Sequence, residues 1–402
     1  MIISQPKIKV SQDYVEVSSL IKFQPDQSHE IWFRLDREFK NYISDDIDPF
    51  IVALLPMAMS LGEDIIAQGR MSELLSYNLN LYQGYFAFFF KNEMKRIKIT
   101  ADRYEKYPSA GQATICPFSG GIDSFYTLLK NNKKTASIKN YFITHLLHVE
   151  GFEQNQEGND DHYKKMRQGC LEVAQKMNLG LIVLRTNVRD LIDPYVNWGQ
   201  RAHGAVLASC GLILKNYAAR YYIPSTLDFR APYVWASNPA TDFLLSTENL
   251  EIIHHGAETT RIKKLEYIAN FPICYDHFKV CWTEKGMANC GHCDKCVRAI
   301  ISLYMFGRLE KFTTFPKKFN RATTKKWEIK TEIGRYFARE VLTYARQHYP
   351  KFARRINRAI IMNHPKNIFR KWILAPLYRA SYRAKEKYPF YRRLLSKLRP
   401  GY

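Results

Sequence analysis

The chain is predicted to be an α/β protein with a doubly wound parallel sheet, because short apolar runs alternate with helical segments between residues 110 and 275. Four of the runs are apolar enough for buried parallel strands, at residues 115–118, 141–149, 181–185 and 221–224. The helical segments between them lie at residues 124–131, 160–177 and 203–219. Ligands of such sheets bind at the carboxyl ends of the strands, so we expect the functional residues there.

Two further segments flank this region. Residues 1–105 combine short strand-like runs with one helical segment, in which Asp48 is the expected N-cap and Pro49 the first helical residue. We predict an α+β accessory domain there, followed by the central domain at residues 110–315. Residues 316–402 hold 24 Lys and Arg against 4 Asp and Glu, which is +20 of the formal net charge of +22. Apolar residues at helical spacing predict a basic helical tail.

Residues 119–124, which we call the glycine turn, read Ser-Gly-Gly-Ile-Asp-Ser between a strand and a helix. Adjacent glycines let the backbone approach an anion closely, and the helix start offers N–H groups to phosphate oxygens. The serines can donate hydrogen bonds, and Asp123 can hold Mg2+ between phosphates. The alternative is an ordinary capped turn. The residues predicted to bind the nucleotide here are Ser119, Gly120, Gly121, Ile122, Asp123 and Ser124.

The glycine turn resembles the PP-loop signature of the N-type ATP pyrophosphatases, and it lacks the lysine of a Walker loop. The resemblance implies that residues 110–315 form a PP-loop domain like that of the adenine nucleotide alpha hydrolases. It also implies an enzyme that splits ATP into AMP and pyrophosphate, with ATP and Mg2+ bound at this turn.

Four of the eight cysteines lie within residues 281–296, at the spacing C-x8-C-x2-C-x2-C. Four thiolates at this spacing can close a tetrahedron around Zn2+ and leave no open position for water. The predicted metal ligands are Cys281, Cys290, Cys293 and Cys296. An iron–sulfur cluster and a redox pair remain as alternatives.

A PP-loop followed by these four cysteines resembles the 7-cyano-7-deazaguanine synthases of pre-queuosine biosynthesis, over about residues 110–310. In that family ATP activates the carboxylate of 7-carboxy-7-deazaguanine as an adenylate, ammonia forms the amide, and a second ATP drives dehydration to the nitrile. The four cysteines there bind zinc. The family's Tyr-Pro-Asp-Cys-Arg string is absent at the corresponding residues 236–242, which read Ala-Ser-Asn-Pro-Ala-Thr-Asp. We therefore expect a divergent branch whose substrate need not be the deazaguanine.

Several residues outside the glycine turn are candidates for the same chemistry. Arg261 and Lys264 lie three positions apart on one helical face, where two cations can stabilise charge on the α-phosphate. They form the predicted catalytic set together with Asp123. A solvated basic face is the alternative.

The remaining candidates are polar residues near predicted strand or helix ends. Four of them are assigned to the nucleotide or to an anionic group beside it: His148, Arg201, His203 and Gly204. Ser237 and Asp242 lie in a loop after a strand and are assigned to the substrate. The alternative for the residues assigned to the nucleotide is an exposed first turn of a helix. The alternative for Ser237 and Asp242 is a loop in which they only form the turn.

The function predicted from these features is ATP-dependent ligation, in which a substrate carboxylate or carbonyl oxygen is adenylated and then attacked by ammonia or an amine. The alternatives are a PP-loop enzyme that modifies tRNA, and a nucleotide-binding scaffold recruited through the tail. We expect a small acidic substrate, and RNA, an anionic membrane or a partner subunit of a homo-oligomer as candidate contacts of residues 316–402. The longest apolar stretch, residues 49–61, is too short to span a bilayer. We expect a cytoplasmic protein, with a peripheral position at the inner face of a membrane as the alternative.

Overall fold

The computed structural model describes residues 1–23, 27–108, 111–135, 137–152, 160–316, 319, 327 and 329–362. Within these residues the strands are β1 Ile2–Ile3, β2 Lys7–Val10, β3 Tyr14–Phe23, β4 Gln27–Asp36, β5 Ile65–Ser72, β6 Ile99–Glu105, β7 Ala113–Pro117, β8 His145–Glu150, β9 Gly180–Thr186, β10 Ala218–Pro224 and β11 Glu251–His255. The helices are α1 Asp48–Leu61, α2 Glu73–Phe89, α3 Ile122–Lys130, α4 Asp160–Met177, α5 Val188–Ile192, α6 His203–Ile213, α7 Arg261–Ile268, α8 Asp294–Met305, α9 Glu332–His348 and α10 Pro350–Met362.

All eleven strands belong to one largely parallel, mixed sheet, in the order β11-β10-β7-β8-β9-β4-β3-β1-β5-β6 with β2 paired to β3. The five strands β11, β10, β7, β8 and β9 are mutually parallel neighbours. Strand β11 is not among the predicted strands. The α/β class is confirmed, and β7, β8, β9 and β10 overlap the four predicted runs. Their continuous apolar runs follow from burial on both faces.

The strands of residues 1–105 continue the same sheet. β4 pairs antiparallel with β9, so that Phe33 lies opposite Thr186 and Leu35 opposite Leu184. This pairing covers an edge of the parallel region that would otherwise expose unpaired N–H and C=O groups. By packing, the chain divides into two compact units, Met1–Phe278 and Lys279–Tyr402. These units differ from the predicted segments, because the accessory strands and the parallel strands share one sheet and the four cysteines lie in the second unit.

The two faces of the parallel region are covered by different helices. On β8, Leu147 belongs to the core that includes residues of α1 and α6, whereas the next residue, His148, contacts Cys170 of α4. Helix α3 packs on β7 and β10, and α7 packs on α3. Every helix that follows a parallel strand here begins at the carboxyl edge of the sheet, which brings the N-termini of α3 and α7 to one edge.

Helix α1 forms the centre of the first unit, with nearly all of its side chains buried. A helix that is apolar all round requires packing on every side. Asp48 is the first residue of this helix and Ile47 is its N-cap, so the predicted capping role of Asp48 is wrong. Asp48 instead accepts a hydrogen bond from the Ser72 amide at 3.0 Å and forms an ion pair with Lys215.

Lys215 forms a buried charge cluster with two aspartates. Its Nζ lies 2.8 Å from an oxygen of Asp48 and 2.9 Å from one of Asp46, and 3.4 Å from the centroid of the Tyr107 ring. Lys215 and Asp48 are almost completely buried. Burial raises the pKa of Asp48 against the attraction of Lys215. Each charge in such a cluster depends on its partner, because removal of one leaves the other buried and uncompensated.

Lys215→Met is expected to lower the free energy of unfolding by about 3–5 kcal/mol, because the buried Asp48 carboxylate loses its cation, while Asp46 keeps its pair with Arg70. Urea unfolding measures this loss, with Lys133→Met, at an exposed lysine, as the matched control. Adding Asp48→Asn to Lys215→Met should recover part of the loss, since an amide oxygen still accepts the Ser72 N–H without charge. Equal stability of the Lys215 and Lys133 variants would contradict the role of the cluster.

The second unit contains α8, α9 and α10. The spacing places Ile333, Phe337, Val341 and Leu342 on one face of helix α9. The structure buries the last three and leaves Ile333 half-buried. Helix α10 leaves basic side chains exposed, namely Lys351, Arg354, Arg355 and Arg358. Residues 317, 318, 320–326, 328 and 363–402 of the predicted tail lie outside the described residues. Among the residues that are described, no helix has the length and hydropathy needed to cross a membrane.

Candidate functional site

The glycine turn connects the buried strand β7 to helix α3 at the carboxyl edge of the sheet. Gly120 has φ +70°, a conformation that favours glycine, and Gly121 is the N-cap of α3. No side chain caps the first turn of α3, and the Ser124 hydroxyl donates to the Gly121 carbonyl at 3.2 Å. The backbone N–H groups at the start of α3 can therefore bind an anion.

Asp123, Arg261 and Lys264 meet at this edge, although more than 130 residues separate the first from the others. The Asp123 carboxylate lies 3.0 Å from the Arg261 guanidinium and 3.7 Å from Lys264 Nζ. Lys264 is almost completely buried and also donates to the Ser225 carbonyl at 2.6 Å. Both cations lie in the first turn of α7. Glu258, whose carboxylate accepts from the Tyr126 hydroxyl at 2.7 Å, lies close enough to Lys264 for their charges to interact.

A second polar cluster surrounds Asp242, which is completely buried. Its Oδ2 accepts from the Ser237 hydroxyl at 2.6 Å and lies 2.7 Å from His254 Nδ1, and its Oδ1 accepts from the Asn238 amide at 3.1 Å. These bonds fix the orientation of the His254 ring. The other ring nitrogen, Nε2, is buried and has no hydrogen-bond partner among the described residues. The predicted substrate residues thus lie together around a histidine at the end of β11.

His203 and Gly204 begin α6 on the same side of the sheet as this cluster. His203 Nδ1 lies 3.0 Å from the Gly199 carbonyl, and burial lowers the pKa of His203, against the nearby Asp242 carboxylate. A Cβ on Gly204 would meet the Ala236 carbonyl at 2.2 Å. Glycine at this position lets α6 approach the loop that carries Ser237.

Arg201 and His148 have other partners. The Arg201 guanidinium pairs with Glu93 at 2.6 Å, and no hydrogen bond or ion pair joins Arg201 to the glycine turn within the described ranges. His148 is 3% exposed, with Nδ1 3.8 Å from Cys170 Sγ and Nε2 3.9 Å from a Glu150 oxygen. Their assignment to the nucleotide stays a prediction.

The pH dependence of stability should report on His148. Burial lowers the pKa of His148 from its ordinary 6.5 to about 4, against the attraction of Glu150. Below pH 6.5 the unfolded chain gains a proton that the folded chain does not bind. The contribution of this histidine is therefore present above about pH 6.5 and is lost as the pH falls towards 4, by about 3 kcal/mol in all.

His148→Gln should remove this part of the pH dependence. Urea unfolding is measured at several pH values. The difference in the free energy of unfolding between wild type and His148→Gln should shrink by about 3 kcal/mol from pH 7 to pH 4. The control is His29→Gln, at an exposed histidine. An identical pH dependence in wild type and His148→Gln would show that His148 is not buried neutral.

The four predicted metal ligands converge in the second unit. All four sulfur atoms lie within 4.8 Å of one another. The sulfur atoms of Cys290 and Cys296 are 3.8 Å apart, and those of Cys281 and Cys293 are 4.0 Å apart. These separations are close to the ~3.8 Å edge of a tetrahedron with Zn–S bonds of about 2.3 Å. The cluster can therefore hold a metal ion such as zinc.

Backbone donors surround the four sulfurs. The amide of Cys293 donates to Cys290 Sγ at 3.3 Å, and that of Thr283 donates to Cys281 Sγ at 3.3 Å. Asn289 Oδ1 accepts from the amides of Val280 and Cys281 and orders the loop between the ligands. Donors of this kind stabilise thiolate charge and orient the ligands. The donor set is all sulfur, which suits zinc or an iron–sulfur cluster more than Mg2+ or Ca2+.

Comparison of the chain with protein-family models, with curated proteins and with solved structures found no match.

Proposed function

We propose that the chain is an ATP-dependent ligase that forms AMP and pyrophosphate. The observation that carries the proposal is the meeting of the glycine turn with Asp123, Arg261 and Lys264 at the carboxyl edge of the sheet. The uncapped start of α3 and the two cations in the first turn of α7 favour a polyphosphate. The resemblance of the turn to the PP-loop signature supports cleavage between the α- and β-phosphates.

In the proposed reaction a substrate carboxylate oxygen attacks the α-phosphorus of Mg-ATP, and the bond to pyrophosphate breaks. The glycine turn receives the pyrophosphate, and Asp123 is the residue that would hold the Mg2+ ion, which would supply positive charge between the phosphates. Arg261 and Lys264 stabilise the charge that develops on the α-phosphate. Much of the rate enhancement comes from alignment and charge stabilisation, which require no covalent participation of the protein.

The second step transfers the acyl group to nitrogen. Ammonia or an amine attacks the activated carbonyl carbon, and the bond from that carbon to the bridging oxygen breaks. AMP leaves with the bridging oxygen, and the nitrogen must lose a proton. His254 is suited to accept it, because Asp242 holds Nδ1 and leaves the lone pair of Nε2 unpaired. This role places His254 beside Ser237 and Asp242 in the substrate site. The likeness to 7-cyano-7-deazaguanine synthases supports a small acid as the acceptor.

The four cysteines are proposed to hold one structural zinc ion. Four thiolates saturate the metal ion, so it contributes to folding and takes no part in the reaction. The exposed basic side chains of α10 favour an anionic contact of the tail, with RNA or an anionic membrane as its partner.

The identity of the nucleotide products tests the proposal. The protein is incubated with Mg-ATP, ammonium and a set of small carboxylic acids, and the nucleotides are separated by ion-exchange chromatography. We expect AMP and pyrophosphate in equal amounts with at least one acid. Release of ADP and phosphate would show that the glycine turn serves a different reaction.

A further inference from the structure

We propose that helix α2 and the segment that follows it form a surface that docks on an anionic lipid bilayer. The inference is independent of the proposed enzymatic function. It depends on an apolar stripe on the outer side of α2 and on a group of cations beside that stripe.

Helix α2 is apolar on two opposite sides. Its inner side buries Leu75, Leu79 and Phe86 in the core. Its outer side exposes large apolar side chains three, four and seven residues apart, which places them on one face of the helix. They are Leu74, Tyr77, Leu81 and Phe88. Tyr77 is 69% and Phe88 76% exposed, which is unusual for side chains of this size. A helix that is apolar on both sides is expected to have a partner on each.

The outer side of α2 carries almost no charge. Glu73, at the first position, is the one Asp, Glu, Lys, Arg or His in the sequence of this 17-residue helix, and Lys106 lies 3.9 Å from its carboxylate. Phe89, at the last position, is half exposed and extends the apolar surface towards the following segment. No charged side chain of the helix itself therefore opposes entry of the stripe into a lipid headgroup layer.

Cations border the stripe. The segment after α2 contains Lys91, Lys95, Arg96 and Lys98, and no carboxylate lies within 4.0 Å of their charged groups in the part of the chain that the structure describes. The Arg96 guanidinium donates to the Asn80 carbonyl of α2 at 3.4 Å, and the Ile97 amide to Gln83 Oε1 at 2.8 Å. The segment thus lies along the middle of the helix. Three acids lie nearby. Glu93 is paired with Arg201, Asp64 accepts from the Lys98 amide at 2.8 Å, and Glu248 accepts from the Leu74 amide at 2.9 Å.

The charges decide between a bilayer and a second copy of the chain. An isologous contact through α2 would bring two sets of these cations to the rim of one interface, where they repel each other. Anionic headgroups attract every one of them, while Tyr77 and Phe88 enter the boundary between headgroups and acyl chains. The surface is therefore matched to a bilayer that contains anionic lipid.

The test is sedimentation of the full chain with vesicles of phosphatidylcholine, with and without an equal part of phosphatidylserine. We expect binding that requires phosphatidylserine, and at least a tenfold weaker partition for Tyr77→Ser/Phe88→Ser. The control is Ile138→Ser, at an apolar side chain of similar exposure in the same unit. Lys91→Gln/Lys95→Gln/Lys98→Gln should weaken binding at low salt and have little effect at high salt.

Two results would overturn the proposal. An unchanged partition of Tyr77→Ser/Phe88→Ser would show that α2 does not contact lipid, even if the basic tail does. The second result would come from sedimentation velocity without vesicles. If wild type is a dimer and Tyr77→Ser/Phe88→Ser is a monomer, the stripe serves self-association.

Discussion

Cys290→Ser is expected to leave the purified protein with less than one zinc ion per chain and to unfold the region around residues 281–296. In wild type the four sulfurs are arranged at tetrahedral separations and receive backbone N–H donors. Structural zinc sites contribute an apparent 10–16 kcal/mol to the folding of zinc-finger peptides, so loss of one ligand is a large perturbation. Metal analysis by mass spectrometry and near-ultraviolet circular dichroism measure the two effects.

The matched control is Cys274→Ser, a buried cysteine of the first unit that lies outside the cluster. It should keep one zinc ion per chain whatever its effect on stability. Purified wild-type protein that is brown and loaded with iron would assign the cluster to iron–sulfur chemistry. Metal-free wild-type protein with a native spectrum would exclude a structural ion.

Asp123→Asn is expected to lower AMP formation by roughly 100- to 1,000-fold while the protein stays folded. The amide has the size of the carboxylate, and the Asp123 side chain lies at the carboxyl edge, outside the apolar core. The neutral asparagine amide cannot hold Mg2+ as a carboxylate does, and it does not neutralise the positive charges of Arg261 and Lys264. Initial rates of AMP release, with unfolding curves of the same preparations, measure both expectations.

Asp161→Asn is the control for this substitution, since Asp161 also lies in the first turn of a helix that follows a parallel strand. It should leave the rate of AMP release unchanged. Full activity of Asp123→Asn would remove Asp123 from the reaction, and the same loss in both variants would indicate an effect on folding.

Four of the five parallel strands could be predicted from the sequence, because burial on both faces makes them continuous apolar runs. The fifth, β11, reads Glu-Ile-Ile-His-His and lacks that pattern. Helix α4 was predicted with its observed bounds, Asp160–Met177. The place of residues 1–105 could not be predicted, because it depends on the pairing of β4 with β9 across more than 140 residues. Periodicity describes one element at a time and does not name its partner.

The same limit applies to the candidate site. Local patterns identified the glycine turn, the four cysteines and the cations of α7, since each group is contiguous or closely spaced. The bond between Asp242 and His254 joins a loop to the end of β11, and Lys215 has no local pattern that marks a buried lysine. The one hint of this role in the sequence is that His254 follows the predicted substrate loop, residues 236–242, along the chain.

The central claim is that the glycine turn and the first turn of α7 form one ATP site, and calorimetric titration with Mg-ATP tests it most directly. Wild type is compared with Arg261→Gln, which removes a cation paired with Asp123, and with Lys263→Gln, which removes an exposed cation of the same helix. We predict saturable binding of one Mg-ATP per chain, at least tenfold weaker in Arg261→Gln and unchanged in Lys263→Gln. No saturable binding to wild type, or equal affinities of the two variants, would contradict the claim.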